Sequence, residues 1–308
     1  MTEVLIGTGG WAYFNVPAID RLAAYARYFN FVEVNSTYYE LPSIKIAESW
    51  RRRVPEDFNF SVRCHKSIYQ GDRLRSIDEN KKTLRRMTEI CGILRARVLH
   101  VLTPASFVFD DHGIKDTRKL FQLISQRDFA VALEVRRKAP SEMPLEVLDI
   151  MRRFGVLHCI DISKEKPQVE STVLYSRLFG KGVHNLYQFD DQELELINRA
   201  ASENKFESSA LSFHGVKMHT DALRLLTYRK SGKFPKVTRS VGADSLEDVM
   251  KEGSVFPASK TTLLVTQGWK VFDLTETKRV HASDLLQNLP DRTFKDVRDV
   301  IESLRTFL

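Results

Sequence analysis

Three cysteines in 308 residues (Cys64, Cys91 and Cys159), widely spaced and without a CxxC pair, suit neither a disulfide framework nor a cysteine-rich zinc site. No stretch approaches the roughly 18 apolar residues that a membrane span requires. The opening residues, MTEVLIGTGGWAY, lack the basic and long apolar regions of a secretory signal. The expectation is a cytoplasmic protein with buried thiols. Catalytic signatures are scarce as well. The chain has no Walker loop, serine-nucleophile elbow or reactive-cysteine pattern, and its eight histidines form neither HxH nor HExxH.

Charge of neither sign dominates, but it is unevenly placed. From Lys236 onward eleven Lys/Arg balance eleven Asp/Glu, so the net charge of +7 belongs entirely to residues 1–235. A basic main domain suits an anionic partner, either a small molecule or nucleic acid, although such charge also serves plain solubility. Runs such as ESWRRR, KKTLRR and TYRKSGK read equally well as solvated helix faces.

Residues 1–235 alternate strand-like and helix-like segments. Apolar, β-branched runs place strands near 4–8, 31–36, 58–64, 98–102, 129–136, 156–161, 173–179 and 209–214. Helical spacing places helices near 18–30, 43–53, 77–95, 115–127, 144–154, 190–204 and 217–231. Ser76-Ile77-Asp78-Glu79 reads as a capping box. Pro144 and Gly155 bracket another helix, and Asp190 precedes a helix that starts acidic and ends basic. Eight such repeats predict an α/β fold, a TIM (β/α)8-type barrel, which typically needs about 250 residues. The rival open sheet expects a GxGxxG turn after its first strand, and GTGGWAY does not provide one. Residues 236–308 read as a small α-rich C-terminal appendage behind a linker near KSGKFPKVTRSVGADS. Ser283 or Asp284 would cap one of its helices and Thr293 another.

Ionisable residues stand at the C-terminal ends of the strand-like runs: Glu33, Arg63, Glu134, Arg136, Asp161 and Arg177. In a parallel barrel that edge carries the active site. Charged groups there must compensate one another, so the six predict a mutually paired ring. It is either a salt bridge plug or a pocket in which Arg63, Arg136 and Arg177 grip an anion while a carboxylate works as acid or base. Glu33, Glu134, Asp161 and His214 are the catalytic candidates, with His214 the histidine best placed for proton transfer. Trp11, Asn35, Tyr38 and Lys66 join the arginines as substrate-binding candidates, and Tyr13 and Tyr39 lie in the same loops. A metal could be held by His65, Glu33, Glu134, Asp161 and His214, but three arginines at the same rim oppose a cation. No cofactor is expected.

Several of these segments resemble the DUF72 (YecE-like) family. The anchors are IGTGGWAY at 6–13, YFNFVEVNSTYYELPS at 28–43 and FNFSVRCHKSI at 58–68, with shorter ones at LTPASF, ALEVRR, YSRLFG and YQFDDQEL. The resemblance runs from about Ile6 to Pro235 and implies a TIM barrel without assigning an activity. It places Gly7, Trp11, Glu33, Asn35, Thr37, Tyr38, Pro42, Glu134, Arg136, Asp161 and Arg177 on the family's motifs. Tyr69-Gln70, Val101-Leu102-Thr103-Pro104, Phe179-Gly180 and His214-Gly215 depart from the usual pattern, which leaves chemistry at those positions unsupported. The combined expectation is an enzyme acting on a phosphate-ester or nucleic-acid-derived anion. The alternatives are a non-catalytic binding module for nucleic acid or protein on a barrel scaffold, and a metal-dependent hydrolase.

Overall fold

Glu3–Thr8 (β1), Phe31–Val34 (β2), Asn59–Arg63 (β3), Val98–Thr103 (β4), Ala130–Val135 (β5), Leu157–His158 (β6), Val173–Leu178 (β7) and Ser208–Phe213 (β8) form one parallel sheet. The computed structural model describes residues 2–70, 73–75, 77–125, 127–136, 143–183 and 185–307. Each strand of the sheet pairs with its neighbours in sequence, and β8 returns to β1, with Glu3 beside Ser208 and Thr8 beside Phe213. β6 and β7 meet at a single bridge, Ile160 to Ser176, supported by the Arg177 N–H on the Ile160 carbonyl at 2.9 Å. The sheet is thus a nearly closed eight-stranded α/β barrel, as its alternating pattern predicts.

Two strands stop more than one residue before their expected C-terminal ends. The segment at 31–36 ends at Val34 because Asn35–Tyr38 coils into a 3-10 turn. The one at 156–161 pairs fully only at Leu157–His158. Side chains alternate across a strand, and the inward set makes an apolar layer from Leu5, Phe31, Val98, Ala132, Leu157, Cys159, Tyr175 and Ala210. Polar groups then lie toward the C-terminal ends. Gly7 is required where β1 approaches β2, since a Cβ there would stand 1.9 Å from the Phe31 carbonyl oxygen. The buried Tyr25 hydroxyl donates to that carbonyl and accepts from the Thr8 N–H, both at 2.9 Å.

Helices Arg21–Tyr25, Ile44–Arg52, Ile77–Leu94, Asp111–Ile124 and Leu145–Phe154 connect the first strands. Asp20, Ser43 and Asp110 cap three of them by accepting first-turn N–H groups. The Asp110 cap starts its helix four residues before the expected 115. Leu145–Phe154 begins after Pro144 and ends at Gly155, whose left-handed φ of 62° suits a residue without a Cβ. Ser76 of the expected capping box lies outside the described residues. Among these, no helix is long and apolar enough to cross a membrane.

The chain divides into two compact units, Met1–Leu178 with Ala200–Phe213, and Phe179–Arg199 with His214–Leu308. The second unit includes helix Met218–Ser231 and most of helix Asp191–Ala201, both of which the sequence assigns to the barrel repeats, together with the C-terminal segment. Its core gathers Leu246, Met250, Leu263, Phe272, Leu286, Phe294 and Leu304. Helix Gly242–Lys251 begins inside the expected linker. Ser283 and Asp284 do not cap Ser283–Leu286, whose N-cap is Ala282 with no side-chain bond. Thr293 lies in the short strand Thr293–Phe294, and Asp296 caps the last helix, Val297–Leu304. Buried ion pairs tie this unit together: Arg279 reaches Asp273 and Asp191, while Arg224 reaches Asp191 and Asp221.

Candidate active site

At the C-terminal ends of β2, β5 and β7, Glu33, Glu134 and Arg177 form a buried ionic triad. Arg177 donates Nε and Nη2 to the two Glu33 oxygens at 2.9 and 3.1 Å, and Nη1 to Glu134 Oε2 at 2.5 Å. The Tyr175 hydroxyl, one residue pair deeper on the same face of β7, donates to Glu33 Oε2 at 2.6 Å and meets Ser61 Oγ at 2.9 Å. Glu33 is fully buried with both oxygens engaged, so its charge serves to fix Arg177. Glu134 retains 17% side-chain exposure and is the carboxylate of the pair that solvent reaches. Burial opposes its charge, but Arg177 outweighs burial and holds it well below the usual carboxylate range. Burial likewise opposes charge on Arg177, and the two carboxylates overcome it, keeping the guanidinium firmly protonated.

Arg63, at the end of β3, is placed differently. Its Nη1 donates to Asn35 Oδ1 at 2.6 Å, and its guanidinium carbon sits 3.8 Å from the centre of the Tyr38 ring. No carboxylate among the described residues lies within ion-pair distance, and the buried Nε has no acceptor among them. Only 4% of the residue is exposed. Burial, and then repulsion from Arg177, lower its pKa. The local chain explains the arrangement. The buried Thr37 hydroxyl sits between the Val34 and Arg63 carbonyl oxygens at 2.7 and 2.6 Å, pinning the 3-10 turn to β3. That pin brings Asn35 and Tyr38 to the guanidinium.

The expected six-membered ring is therefore only partly formed. Asp161 accepts from the Ser163 hydroxyl at 2.6 Å and pairs with Lys164 at 3.4 Å. Arg136 is exposed past the end of β5, and its backbone N–H meets Thr103 Oγ1 at 3.2 Å. Lys66 is exposed, 5.7 Å from the Tyr39 ring centre. Trp11 packs edge-on against Trp50 at 5.3 Å, and Tyr13 is 86% exposed. His65 caps the turn Lys66–Ile68 and bonds Ser67. His214 falls in the second unit, stacked on Phe179 at 4.6 Å. Thus Glu33, Glu134 and Arg177 converge, and Asn35, Tyr38 and Arg63 make an adjoining cluster.

Sequence reasoning missed Tyr175, Ser61 and His100. The first two lie two residues before Arg177 and Arg63, so strand alternation already puts them on the same faces. His100 interrupts the apolar run RVLHVLT of β4. Its Nε2 lies 3.0 Å from Glu134 Oε2. Burial, with Arg177 nearby, lowers its pKa and keeps the ring neutral.

Comparison with known proteins agrees with this architecture. The solved structure of a DUF72 family protein from Enterococcus faecalis V583 superposes with a TM-score of 0.60 at 15% identity, covering 75% of this chain and 98% of that one. Another, from Thermotoga maritima MSB8, gives 0.55 at 18% identity over 74% of this chain and 100% of that one. At these identities the likeness is one of fold. The UPF0759 protein YecE of Escherichia coli (strain K12) is 38% identical over 61 residues, 20% of this chain and 22% of that protein, so the match spans about a fifth of the relative's length. Residues 5–230 match the family model described as "Protein of unknown function DUF72", and the chain belongs to that family.

Proposed function

We propose that the C-terminal end of the barrel binds an anionic substrate of the phosphate-ester or nucleic-acid-derived class, and that Arg63 is the group that grips it. The observation that carries this reading is the state of Arg63: a buried guanidinium with an amide and a ring for company and no carboxylate among the described residues. Burying a cation without a counter-charge is costly. An anion seated on the Nε edge would complete its hydrogen bonds and its charge balance. Arg177 is less suited to that part, because Glu33 and Glu134 already neutralise its charge. Lys66 and Arg136, exposed just beyond β3 and β5, add positive charge at the same ends of the strands.

Glu134 is the carboxylate left for acid or base work, since Glu33 is locked. A carboxylate held so far below its usual range is a weak base. It suits hydrogen bonding to a substrate hydroxyl or a water better than unaided proton abstraction. Inorganic phosphate and a nucleoside monophosphate, titrated into the whole chain, test the reading: both should raise the melting temperature, and Arg63→Met should remove the effect. Hydrolysis of a phosphoester panel that falls in Glu134→Gln marks an enzyme. Anion binding that survives this change with no turnover by either protein marks a binding module.

A further inference from the structure

Below the triad, one side chain is left unsatisfied. His100 is fully buried, and neither ring nitrogen has a hydrogen-bond partner among the described residues. Its 3.0 Å approach to Glu134 Oε2 is close but not aligned as a hydrogen bond. A buried polar group without partners costs about 1–3 kcal/mol, so such a residue calls for a ligand. Cys159, immediately after β6, is a free thiol that is 2% exposed. A ring nitrogen of His100, a carboxylate oxygen of Glu134 and the Cys159 sulfur all lie within 4.8 Å of one another.

We propose that His100 on β4, Glu134 on β5 and Cys159 just after β6 form a binding site for a divalent transition metal ion of the zinc class. Imidazole, carboxylate and thiolate are the ligand types zinc takes, and three protein ligands leave a fourth position open. The order of charges allows it. Glu33 and Glu134 exceed Arg177, which they both clamp, by one negative charge. Binding converts the Cys159 thiol to a metal-bound thiolate with release of one proton, so a dication adds one net positive charge. Arg177, clamped by Glu33, then acts as the outer partner that orients Glu134. Of the residues that the sequence suggests for a metal, only Glu134 belongs to this set. A second cluster of ligand-type residues, Asp190, Glu193 and His281 in the second unit, is satisfied internally by Tyr187 and Lys181.

The proposal stands apart from anion binding at Arg63, which can fail while metal still binds. Chelator-treated full-length protein titrated with Co2+ tests it. One cobalt per chain should bind with a thiolate-to-cobalt absorption band, bleached by added Zn2+. Cys159→Ser should abolish the band, Cys64→Ser and Cys91→Ser should keep it, and His100→Gln should weaken binding by more than about tenfold. If Cys159→Ser does not fold, retention of the band in the other two cysteine variants assigns it to Cys159. A wild-type protein without the band, or a band that persists in folded Cys159→Ser, overturns the site.

Discussion

Arg63 and Arg177 both end barrel strands and both are buried, yet their surroundings give them opposite energetic roles. Arg177 holds two carboxylates, and removing it leaves both charges uncompensated in a medium that penalises them. Arg177→Met should lower unfolding free energy by about 3–5 kcal/mol in urea titrations. Arg63 has no such dependants. Arg63→Met sacrifices the Asn35 bond and the Tyr38 stack but removes a desolvated cation, so its stability should stay within about 1 kcal/mol of the wild type. Equal losses in the two variants would contradict the division of roles. Nothing in the strings FSVRC and LYSRL separates the two arginines, because partner choice depends on which carboxylates face each of them across the barrel. The charged strand ends themselves were legible. An ionisable residue at the last inward position of an apolar run does not belong to the core and must face a partner or a ligand.

At the level of elements, the 3-10 turn Asn35–Tyr38 matters most, and Thr37 fastens it. Thr37→Val keeps the shape and removes the bridge between two buried carbonyls, so a loss of about 1–3 kcal/mol is expected. Phosphate binding should weaken with it if the turn positions Asn35 and Tyr38. The run VEVNSTYY reads as strand throughout, and only the threonine's bond to the next strand reveals the turn. In the second unit, His281 on the hairpin Val271–Asp273/Arg279–His281 meets Glu193 Oε2 of helix Asp191–Ala201 at 3.3 Å. Burial opposes the charge on each. The His281 bond, with Tyr187 and Lys181, still draws Glu193 down to about 2, and Glu193 raises His281 above its ordinary 6.5. The Glu193 contribution is present above its ordinary 4.5 and is lost as pH falls through about 2. The His281 contribution is complete below 6.5 and disappears as pH rises through the raised value. His281→Gln should therefore cost about 1.5–3 kcal/mol near pH 6 and much less near pH 9 in urea unfolding. A cost that does not change with pH would contradict the latch.

Across the whole molecule, the barrel is the part most plainly written in the sequence, because eight apolar runs with polar C-terminal edges leave few other ways to pack. Ion pairing within the second unit was less legible. Helices 191–201 and 218–231 follow the repeat rhythm of the barrel, but the partners of Asp191 and Asp221 include Arg279, far along the chain, and Arg224. Side chains that meet over such sequence distances leave no local trace. His100 was hidden for a similar reason: a lone histidine in RVLHVLT reads as core until Glu134 and Cys159 are seen beside it. The net charge of +7 lies wholly in the barrel-bearing residues 1–235, in keeping with an anionic ligand. Calorimetric titration of inorganic phosphate into the wild type and Arg63→Met, at matched ionic strength, bears most directly on that assignment. Saturable binding by the wild type and at least about tenfold weaker binding by a folded Arg63→Met, a loss of about 1.4 kcal/mol or more, is the expected result. Equal phosphate affinity in the two proteins, or none in the wild type, would contradict it.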